Sequence, residues 1–215
     1  MRIPKDTRAL SGPERRRRKI LDAALELIGE GGPDAITHRA VAERAQVALG
    51  STTYHYRSRN ELLRAAFRHY LTEATAILTA AAADARSPRA TIDDVAELAA
   101  EAARRGANDA RLVRPEYELI LSTPGDPELA RDFLAYERAL ESGLAVVLER
   151  LGVARPNDAA RTVIDMVRGF ELERFARPKA DPKDLRRRVR SLVEALAAPG
   201  RGSRVGKGTR TRRTG

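Results

Sequence analysis

The stretch Ile36-Thr37-His38-Arg39-Ala40-Val41-Ala42-Glu43-Arg44-Ala45-Gln46-Val47-Ala48-Leu49-Gly50-Ser51-Thr52-Thr53-Tyr54-His55-Tyr56 decides how the chain is read. Ile36, Val41, Ala42 and Ala45 recur at helical spacing, Val47 falls in a tight connection, and Thr52 and Tyr56 resume the inward face one turn apart. Two short helices over about 38–45 and 48–54, joined by a tight turn, make a helix-turn-helix. Between its inward positions the second helix offers Leu49, Gly50, Ser51, Thr53, Tyr54 and His55, a run without acids and with several hydroxyls. Such a surface can face phosphates.

Followed through Arg57-Ser58-Arg59-Asn60-Glu61-Leu62-Leu63, the span from Thr37 to Leu63 resembles the DNA-binding signature of the TetR (tetracycline repressor) family of bacterial one-component regulators. The matching features are a Thr opening the second helix, an Ala-x-Val turn, a Gly-Ser pair early in the recognition helix, a Tyr-His-Tyr cluster, and Ser-Arg-Asn-Glu-Leu-Leu opening a fourth helix. Gln46 stands where the turn usually has Gly, Ala48 where a capping Ser is common, and Thr53 where the family usually has Tyr. The resemblance implies a homodimeric regulator that binds double-stranded DNA at a palindromic operator and responds to a small-molecule effector. Carried over by position, it makes Arg39, Leu49, Gly50, Ser51 and Tyr54 the major-groove candidates. Thr37, His38, Thr53, His55 and Arg59 become the phosphate candidates.

The chemistry of the residues supports part of that assignment. Arg39 is the one side chain here able to contact guanine O6 and N7 in bidentate fashion. Thr37 suits a helix N-cap, which leaves other first-turn N–H groups and the helix dipole facing an anion. Gly50 either lets DNA approach the backbone or answers a packing need within the protein. Thr53 reaches less far than a Tyr would. His55 reads as a phosphate donor or as a packing residue, and the spacing of His38, His55 and His69 gives no metal site with carboxylates.

Outward from this centre, Glu14–Glu30 reads as an amphipathic first helix ended by Gly31-Gly32-Pro33. Ser58 is an expected N-cap with Glu61 as its capping-box partner, opening a long fourth helix to about residue 84. Further helices are expected at about 91–106, 109–122, 127–151, 157–176 and 182–198, with Pro115 either kinking the sixth or lying in its first turn. Residues 1–13 and 199–215 lack hydrophobic periodicity and read as basic arm and tail, leaving 14–60 as the DNA-binding head and 61–198 as the effector-binding and dimerisation domain. The fold class is all-α.

The last two long helices carry the dimer expectation. Val163, Val167 and Phe170 belong to a helix that is apolar on more than one face, and Leu185, Val189, Leu192 and Leu196 form a stripe on the next. A second chain would cover what one partner cannot; the other reading is a helix buried within its own chain. For the effector, candidates from the middle helices are Phe67, Tyr70, Leu112, Tyr117, Leu121, Phe133 and Tyr136, each also readable as ordinary core. Arg111, Arg114 and Glu116 are candidate polar anchors.

Composition fits this picture. The chain has 215 residues, 4% aromatic and 33% charged, with no Cys, which removes disulfides and thiolate metal sites. Its net charge of +10 divides as +6 over residues 1–70, −2 over 71–198 and +6 over 199–215, so positive charge accompanies the helix-turn-helix and the tail rather than the body. The N-terminus has no apolar core of a signal peptide, and no run reaches the roughly 20 apolar residues of a membrane span, so a cytoplasmic protein without a cofactor is expected. The alternatives are a nonspecific DNA-compacting protein using arm and tail, and a helical ligand carrier or enzyme, for which no catalytic constellation is seen.

Overall fold

In the computed structural model the described residues are 11–85, 90–108, 113–177 and 179–197. Their elements are α1 (Gly12–Gly31), α2 (His38–Ala45), α3 (Leu49–His55), α4 (Arg59–Ala85), α5 (Ile92–Asn108), α6 (Arg114–Ser122), α7 (Pro127–Arg150), α8 (Pro156–Ala176) and α9 (Pro182–Ala197), with single 3-10 turns at Pro33–Ala35 and Thr123–Gly125. No helix among the described residues is long and apolar enough to cross a membrane.

Local chemistry sets the ends. Ser11 closes a capping box with Glu14, its backbone N–H meeting the carboxylate at 2.8 Å, so α1 begins at Gly12, inside the segment expected to be an arm. The rest of that arm, and the tail, lie outside the described residues. Ser58 caps α4 by accepting the Glu61 N–H at 3.1 Å, but the Glu61 carboxylate reaches back to the Arg57 N–H, at 2.8 Å, rather than to Ser58. Pro115 lies in the first turn of α6, where its missing N–H costs nothing. Asp126 caps α7 through the Leu129 N–H at 3.2 Å and is ion-paired with Arg64 of α4.

Two apolar cores form. The first joins Ile20, Ile28, Ile36, Val41 and Tyr56 of the head to Leu62 and Phe67 of α4, Leu119 of α6, and Leu129 and Tyr136 of α7. The head's core therefore continues past residue 60 into the body. The second joins α5, α7, α8 and α9 through Ala96, Leu148, Val163, Phe170, Leu185, Val189 and Val193.

That second core corrects the expected dimer face. Val163, Phe170, Leu185 and Val189 are buried inside the protomer, and Val167 and Leu192 pack against the same cluster, because α5 and α7 supply the partners that the apolar faces of α8 and α9 require. Of the seven, Val167 and Leu192 are half-buried and Leu196 is 40% exposed. What α8 presents outward is a different stripe, with Thr162, Asp165, Gly169, Leu172 and Ala176 exposed at helical spacing.

Candidate nucleic-acid interface

The helix-turn-helix is held by four local features. Thr37 caps α2, its hydroxyl oxygen accepting the Ala40 N–H at 3.0 Å. Past α2 the chain turns through Gln46, at φ 55° and ψ 48°, whose N–H meets Glu43 O at 3.1 Å while the Val47 N–H meets Ala42 O at 3.0 Å. This is the paired closure that usually recruits Gly, here carried by Gln in the left-handed region. Thr52 is fully buried and donates to Leu49 O at 2.8 Å, and Tyr56, also buried, accepts from Arg17 Nε at 3.3 Å.

With its inward face so fixed, α3 turns its remaining residues outward. Tyr54 is 84% exposed and Leu49 50% exposed, so both large side chains stand on the outward face of α3. Gly50 and Thr53 are exposed, and Ser51 is half-buried. Thr53 bonds weakly back to Leu49 O and Gly50 O, at 3.4 and 3.3 Å. His55 stands edge-on to Tyr54, ring centroids 5.2 Å apart. A Cβ placed on Gly50 would meet nothing within 4 Å, so packing inside the protein does not require glycine there.

On α2, Thr37 and Arg39 are exposed and Arg39 has no ion pair among the described residues; His38 is half-buried, its Nδ1 enclosed without a partner. Arg59 is the exception to the expected phosphate set. Its guanidinium turns into the protein, donating to Pro33 O at 2.7 Å, Ile36 O at 3.0 Å and Asp34 Oδ1 at 3.1 Å. Arg59 thus donates to the carbonyl of Ile36 and adds a second donor to that of Pro33, which already accepts the Ile36 N–H at 3.1 Å. Two positions earlier, Arg57 is exposed with a side chain that makes no hydrogen bond or ion pair among the described residues; it was not singled out from the sequence. Of the cluster Arg15–Lys19, Arg17 and Arg18 are drawn inward to Tyr56 and Glu73.

Residues 20–66 match the family described as bacterial regulatory proteins, tetR family, and residues 90–199 match the tetracyclin repressor-like C-terminal domain. The chain belongs to the TetR family. It is a DNA-binding transcriptional regulator. Among its relatives, the HTH-type transcriptional regulator BetI of Burkholderia mallei is 30% identical over 195 residues, 86% of this chain and 95% of BetI. The HTH-type transcriptional repressor KstR of Rhodococcus jostii is 42% identical over 61 residues, 28% of this chain and 29% of KstR. The crystal structure of the multidrug binding protein EbrR complexed with ethidium is similar at 29% identity with a TM-score of 0.63, covering 85% of this chain and 99% of that one.

In the TetR-type body, five of the seven expected effector residues gather in the interior. Phe67 is fully buried in the first core, and Tyr70, Tyr117, Phe133 and Tyr136 surround a charged cluster. Leu112 lies outside the described residues. Leu121 is 75% exposed and faces away from the interior, since Leu119 takes the inward position on that turn of α6. The anchors differ from expectation too. Glu116 accepts from Tyr70 Oη at 2.8 Å and from Arg168 at 2.7 Å. Arg114 instead reaches the head, donating to Glu30 O at 3.0 Å and pairing with Glu118 at 3.1 Å, while Arg111 lies outside the described residues. Arg168, Glu137 and Glu171 were missed, being scattered over two helices with no motif.

A second constellation was also not anticipated. Asp22 of α1 and His69 and Glu73 of α4 bring three potential ligand atoms within 4.8 Å of one another, with His69 Nε2 at 2.8 Å from Asp22. Arg18 already binds Glu73, so the group acts as a polar joint between α1 and α4.

Proposed function

We infer that the protein is a ligand-responsive repressor which binds a palindromic operator as a homodimer, reads bases through Arg39 and the outward face of α3, and is released by a small molecule in the body. The observation that carries this reading is the outward face of α3: exposed Leu49 and Tyr54, and a Gly50 whose lack of a side chain serves no packing need within the chain. Thr37, His38, His55 and Arg57 flank that face and act on phosphates, with Thr53 a weaker contributor. Names of relatives point the same way: KstR is called a repressor, and EbrR is a multidrug binding protein complexed with ethidium.

Dimerisation uses the exposed stripe of α8 through Leu172, with Gly169 and Ala176 permitting close approach of the partner helix; a Cβ on Gly169 would meet nothing within the protomer. Coupling runs through α6. Its Arg114 holds the end of α1 at Glu30, and Gly32 lies so close that an added Cβ would stand 3.1 Å from both Arg114 Nη2 and Glu118 Oε1. On the same helix, Glu116 and Tyr117 face the interior cluster. A ligand that shifts α6 therefore moves the end of α1 and, through the core that α1 shares with α2 and with Tyr56 at the end of α3, bears on the helix-turn-helix.

Selection from a random pool of DNA duplexes tests the reading. Two inverted half-sites, their centres separated by about one helical turn or a multiple of it, are expected among the bound sequences. Binding without enrichment of any sequence, and lost evenly with salt, would instead favour nonspecific compaction.

A further inference from the structure

Among the described residues, the body's interior gathers more acids than cations to neutralise them. Glu116 of α6, Glu137 of α7 and Glu171 of α8 converge on one guanidinium, that of Arg168. Arg168 bonds Glu116 at 2.7 Å and Glu137 at 2.9 Å, and the exposures of the three side chains are only 17%, 15% and 13% for Arg168, Glu116 and Glu137. Among the described residues Glu171 has no such cation of its own; it accepts from Tyr117 Oη at 2.9 Å. Excess like charge out of water is costly, and it is relieved by a proton or by a cation.

The surroundings suit a cation. Tyr70, Tyr117, Tyr136 and Phe133 ring the acids, and Arg168 itself lies 5.9 Å from the centroid of Phe133, so one cation already uses an aromatic face here. Tyr136 stands beside the same charges. It is only 8% exposed, its hydroxyl has no hydrogen-bond partner among the described residues, and it feels Glu116, Arg168, Glu137 and Glu171 together.

We propose that the effector is an organic cation with an apolar body, its charge set against Glu171, Glu116 and Glu137 and its body against the tyrosines and Phe133. This rests on the ligand-responsive reading of the body, and gives that ligand a chemical class. Burial pushes the Glu171 carboxyl up to about 7, against the opposing hydrogen bond from Tyr117. The groups facing it are Tyr117 and Glu116 of α6, Tyr70 of α4, Tyr136 of α7 and Arg168 one turn back on α8. Ionised Glu171 attracts the cation and protonated Glu171 does not, so cation binding tightens as the pH rises from 6 to 8.

Calorimetric titration of the full-length protein without DNA tests this, using phenyltrimethylammonium, tetraphenylphosphonium and the shape-matched anion tetraphenylborate. At least one cation binds, at least about tenfold more tightly than the borate, and Glu171→Gln lowers that affinity by about tenfold or more and removes its rise between pH 6 and 8. Glu137→Gln is the second variant, also expected to weaken the cation. The proposal is overturned if neither cation binds, if the borate binds equally well, or if both variants leave cation affinity unchanged. Operator release is read separately. A cation that binds at the cluster without releasing DNA leaves this assignment standing and sinks the regulatory reading; sequence-specific DNA binding with no cation affinity does the reverse.

Discussion

Arg59 separates a gripping role from a structural one more sharply than any other residue of the head. Its two bonds to the carbonyls of Pro33 and Ile36, at 2.7 and 3.0 Å, join the start of α4 to the turn before α2, whereas its pair with Asp34 involves a fully exposed carboxylate and adds little. Hydrogen bonds from a charged donor contribute about 1.5–3 kcal/mol each, and with the Arg59 side chain 41% exposed the two together are discounted to about 2 kcal/mol. Arg59→Ala should therefore lower the melting temperature by about 4–8 °C for a chain of this size. Arg57→Ala removes the same charge from an exposed side chain and should leave stability within about 0.5 kcal/mol. DNA titrations across a salt series complete the test, because loss of one phosphate contact reduces the slope by about one, and this is expected of Arg57→Ala. If Arg59→Ala melted like the parent and it alone flattened the salt dependence, the structural account of Arg59 would be refuted.

Four further outcomes are expected. Gly50→Ala should stabilise the fold by about 0.5–1 kcal/mol, since the added methyl has open space in a helix, yet weaken operator binding; a variant that binds as tightly as the parent would remove Gly50 from the interface. Gln46→Gly relieves a left-handed residue and should raise stability by about 1 kcal/mol in denaturant titration, and a loss would mean that the Gln side chain contributes more than the strain costs. Leu172→Glu should give folded monomers by sedimentation while Val189→Glu unfolds the protomer; a Leu172→Glu dimer would place the interface elsewhere. For Glu171 the folded state keeps its proton from the ordinary 4.5 up to about 7, so this group's contribution to stability falls as the pH rises through that window. Glu171→Gln should thus match the parent near pH 4.5 and exceed it by about 3 kcal/mol above pH 7, at about 1.4 kcal/mol per pKa unit, and a difference that stays flat between pH 5 and 8 would contradict the buried placement.

How much was legible in the sequence depended on whether the signal was local. The bounds of α2 are as expected because Thr37 caps one end by its own hydroxyl and the helical spacing stops at Ala45. Pro115 left two readings open, and only the position of its neighbours chose the first turn. For α8 and α9 the apolar pattern correctly marked faces that need cover, but periodicity carries no information on which element covers them; α5 and α7 do, and the outer stripe at Leu172 is too polar in composition to stand out. Arg59 and Arg57 are indistinguishable as letters, and only the carbonyls of Pro33 and Ile36 tell them apart. The acids around Arg168 come from three helices, with Glu116 and Arg168 separated by 52 positions, so neither spacing nor composition could assemble them. Asp22, His69 and Glu73 were hidden for the same reason.

The position of α6 explains how a chemical event in the body can reach the DNA. Arg114 and Glu116 both lie in the first turn of this nine-residue helix, so the ties they make cannot move independently. Arg114 is tied to the last turn of α1, and Glu116, two residues on, is tied to Arg168 and Tyr70. A ligand charge that competes with Arg168 for Glu116 alters the second tie without touching the first. Differential stabilisation of about 1–3 kcal/mol, the size of one or two charged hydrogen bonds, is what typical coupling between sites requires. Because α1 shares its core with α2, with Tyr56 at the end of α3 and with the start of α4, a displaced end of α1 is not absorbed locally but is passed on to the elements that hold the face carrying Gly50 and Tyr54.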